Sequence, residues 1–320
     1  MKNKYVFVFV LLVFILVVSF GLTNIYVSQN KPSKDEDFVI VTSFYPMYIA
    51  TMNVVGDTEG VTLKNLSEPQ TGCLHDFQLT PADMKLLSTA DVFVINGGGI
   101  ESFMEEIAKQ YPDLVIVEAS EDMEFLQDEH EDEHVHEEEH ESEAGHHHDV
   151  NAHAWMSVEK HRQQVENIAN GLAKADASHA ESYLANAGVY DGKLEALQVE
   201  LEEVKNFVSG EAAVMFHCAF DYVAEDYGLN VAFCMDLDEE RQVSAGEVAD
   251  VLEVIEHDGV QFIFAEELYG ASMCEMVQKE VDVEVVYLDP LNRGSYEPDS
   301  YLNGMKRNIK LIREAFSQNK

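Results

Sequence analysis

Apolar segments short enough to be strands alternate with helical segments along most of this chain. The first series runs from FVIVT (38–42) to LVIVEAS (114–120), and the second from AAVMFH (212–217) to VEVVYLD (283–289). Such alternation is typical of parallel sheets, because each return to the same edge needs a crossover helix. Between the two series, residues 157–208 contain no proline and have helical periodicity. We therefore predict an α/β fold with two parallel-sheet lobes joined by a long, rigid helix.

This pattern divides the chain into lobes of ordinary domain size. We predict an N-terminal lobe over residues 38–176, a linking helix over 177–208 and a C-terminal lobe over 209–320. The first lobe includes a loop rich in histidine and acidic residues, at 128–150. A ligand site is expected in the cleft between the lobes, because open parallel sheets bind ligands beyond the carboxyl ends of their strands.

The N-terminus carries a targeting or membrane segment. Lys2 and Lys4 precede an apolar run from Tyr5 to Val27, which is long enough to cross a bilayer as a helix. Residues 1–29 are therefore predicted to be a signal peptide or an N-terminal anchor, and 30–37 a polar tether. The run is long for a signal peptide, so we favour an anchor at the outer face of the cytoplasmic membrane. If the segment is cleaved, the protein is secreted or periplasmic.

The charge balance limits the choice of partners. Sixty acidic residues against twenty Lys and Arg give a formal net charge of −40. Such a surface repels phosphate backbones, so nucleic acid is not expected as a partner. It attracts cations, although it also serves simply to keep an extracytoplasmic protein soluble.

Cysteine usage leaves the disulfide pattern open. The four cysteines are Cys73, Cys218, Cys234 and Cys274. An even number outside the cytoplasm suggests disulfides, and three pairings are available to them.

The segment from Asp128 to Ser157 concentrates potential metal ligands. It holds eight of the thirteen histidines among many carboxylates, and no Lys or Arg lies between Lys109 and Lys160. Neutral imidazole is a good donor for zinc, copper and nickel, so this composition favours metal contact over a merely solvated acidic loop. The predicted accessory contacts within it are His130, His134, His136, His140, His146, His147 and His148.

Four further candidate ligands occupy strand or loop ends. His75 and His153 lie in loops that precede helices of the first lobe, and His217 and Asp289 end strands of the second. Each has a simpler alternative: a loop hydrogen bond for His75, the solvated tract for His153, a core position for His217 and a turn for Asp289. Because all four fall at equivalent ends, we predict that they face one cleft and form a metal site.

Two more acids follow a predicted strand of the second lobe. Glu266 and Glu267 end the segment QFIFAEE. They are predicted as accessory, alternative or water-mediated metal contacts.

Five motifs in order carry a resemblance to a known family. TGCLHDFQLTPADMKLL, NAHAWMS, FHCAFDYVAEDYGL, FIFAEE and YLDPL together resemble the metal-binding substrate-binding proteins of ABC transporters, and most closely the zinc-uptake branch with its His-rich loop. The resemblance covers about residues 38 to 317. It implies an extracytoplasmic, monomeric protein that delivers zinc to a membrane permease with its ATPase. It also implies His75, His153, His217 and Asp289 as the ligands.

The chain departs from the family pattern at several positions. Gln78 replaces a usual Glu, which removes a carboxylate that would help to orient the loop of His75. Ala152 stands for a usual Pro, and Cys218 for a usual Asp. Cys73 has no counterpart either, and both cysteines neighbour ligand histidines.

The ligand types favour zinc, with manganese as the runner-up. Three imidazoles and one carboxylate suit tetrahedral Zn²⁺. Manganese-binding members of the resembled family usually have a carboxylate where His217 stands, as the harder metal prefers oxygen. A metal-dependent adhesin is an alternative that sequence does not separate from uptake. A zinc hydrolase is disfavoured, because the chain has no GxSxG motif and no Glu clearly placed as a general base.

Overall fold

A computed structural model describes residues 37–68, 77–127, 150–237 and 243–318 of the chain. The described part of the first lobe contains β1 (Phe38–Thr42), α1 (Tyr45–Val55), β2 (Val61–Asn65), α2 (Pro81–Leu87), β3 (Val92–Ile95), α3 (Met104–Gln110), β4 (Val115–Glu118), β5 (Leu126–Gln127) and β6 (Val150–Asn151). Two helices follow, α4 (Val158–Ala175) and α5 (Ala180–Val208). The second lobe contains β7 (Ala212–Phe216), α6 (Asp221–Tyr227), β8 (Asn230–Cys234), α7 (Ala245–Asp258), β9 (Phe262–Ala265), α8 (Glu267–Val277), β10 (Glu284–Tyr287) and α9 (Ser300–Gln318).

Each lobe is built on one four-stranded sheet, and the two sheets have the same plan. The strand orders are β2-β1-β3-β4 and β10-β9-β7-β8, so both read 2-1-3-4 when strands are counted from the start of each lobe. The strands pair in parallel in both sheets, β1 with β3 and β3 with β4 in the first, and β7 with β8, β7 with β9 and β9 with β10 in the second. The predicted α/β fold with two parallel-sheet lobes is therefore confirmed.

The long helix α5 holds the lobes together. At 29 residues it is about 43 Å long, given 1.5 Å per residue. It contacts α1 and α4 of the N-terminal part of the chain and α6 and α9 of the second lobe. Its buried face carries leucines at 194, 197 and 201. Gly188 and Gly192 lie inside the helix without breaking it, because this packing outweighs their low propensity.

Two local features lie beyond the sequence pattern. The turn that follows β3 extends up to the start of α3 at Met104, because the Glu101 carboxylate accepts the backbone N–H groups of Asn96 and Gly97 and closes a loop there. A short antiparallel pair, β5 with β6, was not predicted. Both of these strands have only two residues, which is too short for an alternation pattern to reveal.

Among the described residues, no helix is both long and apolar enough to cross a membrane. The predicted anchor at Tyr5–Val27 lies outside these residues.

The helix α4 carries a fully buried histidine. His161 stacks on the ring of Tyr301, with centroids 3.9 Å apart, and its Nδ1 lies 3.3 Å from Gln164 Oε1. Burial disfavours the charged imidazolium and lowers the pKa of His161 to about 4, although the Gln164 contact acts in the opposite direction. The folded protein therefore accepts this proton far less readily than the unfolded chain.

We expect His161 to make the fold acid-labile. Its folded-state pKa lies below the unfolded value near 6.5, so its neutral form stabilises the fold above pH 6.5 and that stability is lost as pH falls toward 4. At about 1.4 kcal/mol per pKa unit, the loss is on the order of 3 kcal/mol. Replacing His161 by Phe keeps an aromatic ring and removes the titration. The slope of unfolding free energy against pH between 4.5 and 6.5, measured with a chelator present, should become shallower.

The matched control removes an imidazole from the surface. His257 is 83% exposed, so the substitution His257→Gln should leave the wild-type slope unchanged. An equal loss of slope in both variants, or in neither, would contradict the assignment to His161.

Candidate metal site

Two potential ligands follow adjacent strands at the carboxyl edge of the second sheet. His217 comes directly after β7, and Glu266 directly after β9. The strands β7 and β9 are neighbours in the sheet. The chain adds β8 on one side of β7, and then crosses to the other side to add β9 and β10. That switch point is where open α/β sheets bind ligands.

The first lobe contributes His153, which precedes a short 3-10 helix at Ala154–Met156. The Asn151 side chain orients it: Oδ1 accepts the His153 backbone N–H at 3.1 Å and lies 2.9 Å from His153 Nδ1. An amide oxygen can only accept, so Nδ1 carries the proton in this arrangement. The lone pair of the neutral ring is then on Nε2, the nitrogen that can bind a metal.

The same amide reaches the second lobe. Asn151 Nδ2 donates to the backbone oxygen of Cys218 at 2.7 Å and lies 3.3 Å from Asp221 Oδ2. Tyr222 adds a bond from its hydroxyl to the backbone oxygen of Asn151 at 2.7 Å. The segment that carries His153 is therefore bonded directly to the loop that follows His217.

Buried polar groups of the first lobe hold the backbone of the segment that carries His153. Asn96 Nδ2 donates to the backbone oxygen of Ala152 at 2.9 Å, and Gln164 Nε2 donates to Asn96 Oδ1 at 2.9 Å. Gly98, with φ +65°, lies so close that a Cβ there would be 3.2 Å from the Ala152 Cβ. Only glycine fits this backbone comfortably.

A buried carboxyl completes this support. Glu101 accepts hydrogen bonds from Ser43 Oγ at 2.8 Å, Asn96 N at 2.7 Å and Gly97 N at 3.1 Å. Burial raises the pKa of Glu101 to about 7, although these donors act in the opposite direction. The carboxyl joins the ends of β1 and β3, which form the corresponding switch point of the first sheet.

Two of the predicted histidine ligands lie within the described residues, and these two converge. His153 and His217 are both buried, and their ring centroids are 5.3 Å apart at an interplanar angle of 82°. Glu266 Oε2 lies 3.6 Å from His217 Nδ1, and Arg293 Nη2 lies 3.1 Å from Glu266 Oε1. The buried Glu266 carboxylate is thus positioned between a cation and an imidazole.

Cys218 is the third member of this group. Among the described residues, one potential ligand atom from each of His153, His217 and Cys218 lies within 4.8 Å of the others. Cys218 Sγ is 3.6 Å from His153 Nδ1. The sequence marked Cys218 as a departure from the family pattern, but its distance from His153 becomes visible only in the fold.

Cys274 has a different environment. It is buried in the second lobe beside Tyr287, and burial raises the pKa of its thiol to about 12. A thiol with so high a pKa is a poor nucleophile and a poor metal ligand near neutral pH. The pairing of the cysteines stays a prediction.

Asp289 is not a member of the close group that His153, His217 and Cys218 form among the described residues. It comes two residues after the end of β10, the edge strand beyond β9. Its Oδ2 is 3.0 Å from Arg307 Nη2, and its Oδ1 accepts the Leu291 N–H at 2.9 Å. Together with Glu266 and the exposed Glu267, it lines a cavity of about 570 Å³. Ligation by Asp289 or Glu267 stays a prediction.

The remaining predicted ligands lie outside the described residues. These are His75 and the histidines between β5 and β6, namely His130, His134, His136, His140, His146, His147 and His148. Residues 130–134 and 136–140 both have the spacing H-E-x-x-H. In a run composed almost entirely of histidine and acidic residues, this spacing arises from composition and does not by itself indicate a metalloprotease.

The fold and the site together define a class of protein. Two parallel-sheet lobes, joined by long helices, bring imidazole, thiol and carboxylate groups from both lobes to one buried point. This is a two-lobed binding protein with potential metal ligands at the junction of its lobes.

A comparison with protein-family models shows which family of binding proteins the chain belongs to. Residues 40–315 match the family described as "Zinc-uptake complex component A periplasmic", ZnuA. The chain belongs to this family, as its motifs predicted. Its members are binding components of uptake complexes, so the expectation that the protein is not an enzyme is confirmed. The family description also agrees with an extracytoplasmic location.

Several characterised proteins are similar to the chain. The zinc-binding lipoprotein AdcA of Streptococcus pneumoniae serotype 4 is 27% identical over 91% of this chain and 58% of its own length. The zinc-binding protein AdcA of Streptococcus pyogenes serotype M3 is 30% identical over 86% of this chain and 55% of its own. The chain therefore spans little more than half the length of these curated relatives.

Solved structures agree with the fold. Zn(II)-bound AdcA of Streptococcus pneumoniae has a TM-score of 0.71 and 25% identity, covering 88% of this chain and 58% of that one. The solute-binding protein FpvC of Pseudomonas aeruginosa with Mn²⁺ has a TM-score of 0.74 and 24% identity, covering 89% and 100%. The second likeness concerns the fold alone.

We expect Asn151 to control metal affinity through His153. Substituting Asn151 by Ala removes the acceptor for His153 and the bond to the Cys218 backbone, so the imidazole is no longer held in one orientation. Loss of such an orienting group typically weakens metal binding about 10–100-fold. Zinc affinity by competition with a chromogenic chelator is the measurement.

Asn167 provides the matched control. Its side chain also makes two bonds to backbone oxygens in the first lobe, to Ala119 and Glu121, but not to the histidine pair. Asn167→Ala should retain zinc affinity. An Asn151→Ala protein with wild-type affinity would contradict the orienting role.

Proposed function

We propose that this protein captures zinc outside the cytoplasm and delivers it to an ABC-type permease driven by its ATPase. The observation that carries the proposal is the convergence of two buried imidazoles, His153 and His217, from different lobes. Their ring centroids are 5.3 Å apart. Two neutral imidazoles brought together from different lobes can bind one ion through their ring nitrogens, and zinc is an ion that accepts such donors.

The donor types support zinc over manganese. Both central donors are imidazole nitrogens, which suit a borderline metal better than the harder Mn²⁺. The relatives named as zinc-binding proteins support the same choice. Manganese remains the runner-up cargo.

The proposed ligand set contains His75, His153, His217 and one carboxylate. The sequence predicted Asp289 as this carboxylate, with Glu266 and Glu267 as accessory contacts, but Glu266 has the stronger support. It lies 3.6 Å from His217 Nδ1, and it follows the strand next to β7. Asp289 follows the edge strand, and Arg307 balances its charge at 3.0 Å.

The proposal assigns the His-rich stretch to collection of the metal. The strands β5 and β6 pair antiparallel, Leu126 with Asn151 and Gln127 with Val150, so residues 128–149 begin and end beside the site. The β6 residue Asn151 is only two positions before His153. Weak contacts on such a stretch would release metal next to the ligands that retain it.

The proposed location follows from the N-terminal segment. We propose that residues 1–29 hold the protein at the outer face of the cytoplasmic membrane, as a monomer beside its permease. This part of the proposal is supported by the sequence of the segment and by the periplasmic character of the family.

The main test compares the site with the His-rich stretch. Zinc and manganese would be titrated competitively against the purified full-length chain, the variants His153→Ala and His217→Ala, and a deletion of residues 129–148. We expect the wild type to prefer zinc. Each histidine variant should lose affinity by on the order of 100-fold or more, since the loss of a direct ligand exceeds the loss of an outer partner. The deletion should retain one tight site and lose only weaker binding.

The surface variant His257→Ala serves as the matched control and should bind as the wild type does. If tight binding disappears with the deletion but survives in both site variants, the proposed site is wrong. A wild-type protein that binds neither metal measurably would overturn the proposed function.

Two single substitutions test which carboxylate contributes to metal binding. Glu266→Gln removes the buried charge beside His217 and should lower zinc affinity at least about 10-fold, whether the carboxylate binds the ion or orients the ring. Asp289→Asn, which removes a charge already balanced by Arg307, should change affinity much less. The same zinc competition measures both. If Asp289→Asn lowers zinc affinity more than Glu266→Gln does, the carboxylate of the site is Asp289.

A further inference from the structure

We propose that Cys218 supplies a sulfur ligand to the bound metal, in addition to the imidazoles of His153 and His217 and in place of the carboxylate of the proposed set. The inference rests on the proposed function, because it concerns the same site. It adds a donor of a different chemical kind and therefore changes which metals the site selects.

The distances fit coordination. Zinc lies about 2.0–2.1 Å from imidazole nitrogen and about 2.3 Å from cysteine sulfur, so a tetrahedral site separates nitrogen and sulfur ligands by roughly 3.5 Å. One potential ligand atom from each of Cys218, His153 and His217 lies within 4.8 Å of the others. Cys218 Sγ is 3.6 Å from His153 Nδ1, the nitrogen that faces Asn151, so the sulfur lies against the same ring whose Nε2 would bind the metal. Adjustments of roughly 1 Å, achieved by side-chain rotation, would bring all three donors to bonding distance of one ion.

The backbone of Cys218 is fixed by both lobes. Its N–H donates to Asp236 Oδ1 at 3.2 Å, within the second lobe. Its backbone oxygen accepts from Asn151 Nδ2 at 2.7 Å, from the first lobe. Only 7% of the residue is exposed. The sulfur is therefore held beside His153 by bonds that do not depend on the side chain itself.

A sulfur donor makes the site softer than nitrogen and oxygen alone. When the metal binds, the S–H bond breaks, the sulfur keeps the electron pair that it donates to the metal, and the proton passes to solvent. Thiolate favours zinc, cadmium and cobalt over manganese. A carboxylate that bound the metal from the same position would favour the harder ion.

Cobalt reports sulfur ligation directly. The purified full-length chain would be loaded with Co²⁺ under reducing conditions and its absorption spectrum recorded. Wild-type protein should give an intense near-ultraviolet sulfur-to-cobalt charge-transfer band. Cys218→Ser should lose this band and still bind cobalt through the histidines. Cys73→Ser and Cys234→Ser are the matched controls and should both retain it.

The ¹¹³Cd chemical shift of the cadmium-loaded wild type gives a second readout that needs no substitution. A shift in the range of sulfur-containing sites supports the proposal. A shift typical of nitrogen and oxygen donors alone overturns it, even if Cys218→Ser fails to fold.

The outcomes separate this inference from the proposed function. A protein that binds zinc and cobalt tightly without a sulfur band keeps the function and overturns the role of Cys218. A band that disappears in Cys73→Ser but survives in Cys218→Ser also overturns it, as does recovery of Cys218 in a disulfide by peptide mapping of the metal-loaded protein. Failure of the wild type to bind any of these metals overturns the proposed function itself.

Selectivity gives an independent measure. Cys218→Asp replaces sulfur by oxygen and should reduce the ratio of zinc to manganese affinity at least about 10-fold, while retaining binding. An unchanged ratio would mean that position 218 does not contact the metal.

Discussion

The side-chain amide of Asn151 is the interaction on which the geometry of the site depends. Its oxygen accepts from the backbone and faces the ring nitrogen of His153, while its NH₂ group donates to the Cys218 backbone in the other lobe. The residue is buried, so leaving these groups unpaired would cost about 1–3 kcal/mol for each group. One side chain therefore fixes both the orientation of a ligand and the contact between lobes. Any movement of one lobe against the other must change the position of His153.

The repeated sheet plan explains why ligands from distant sequence positions meet. Both sheets have the order 2-1-3-4, and in each one the first and third strands are neighbours at the reversal point. Glu101 occupies that point in the first lobe, and His217 with Glu266 in the second. The helix α5 contacts elements of both lobes. A stiff connection of this kind favours small tilts, and small tilts suffice because the ligand atoms already lie within 4.8 Å of one another.

Local sequence was sufficient for the strands of the second lobe and for the placement of His217, which directly continues the apolar run of β7. It was not sufficient to choose between Glu266 and Asp289, because both follow strands. That choice depends on strand order, with β9 next to β7 and β10 at the edge, and on arginines contributed by the loop and helix that follow. Neither the order of parallel strands nor such pairings can be read from local periodicity. The short β5–β6 pair was missed for the same reason: its register is set by the contact of Tyr222 with Asn151 and Leu126.

The negative charge of the chain acts on the rate at which cations arrive, and the buried donors act on how long an ion stays bound. A net charge of −40 raises the local concentration of cations and therefore the rate of encounter, but exposed carboxylates and histidines exchange their ions quickly. Retention requires few, desolvated and oriented donors, which is what the pair His153 and His217 provides. In the proposed function, residues 128–149 would affect how fast the site fills, and the buried donors would set how long it keeps the ion.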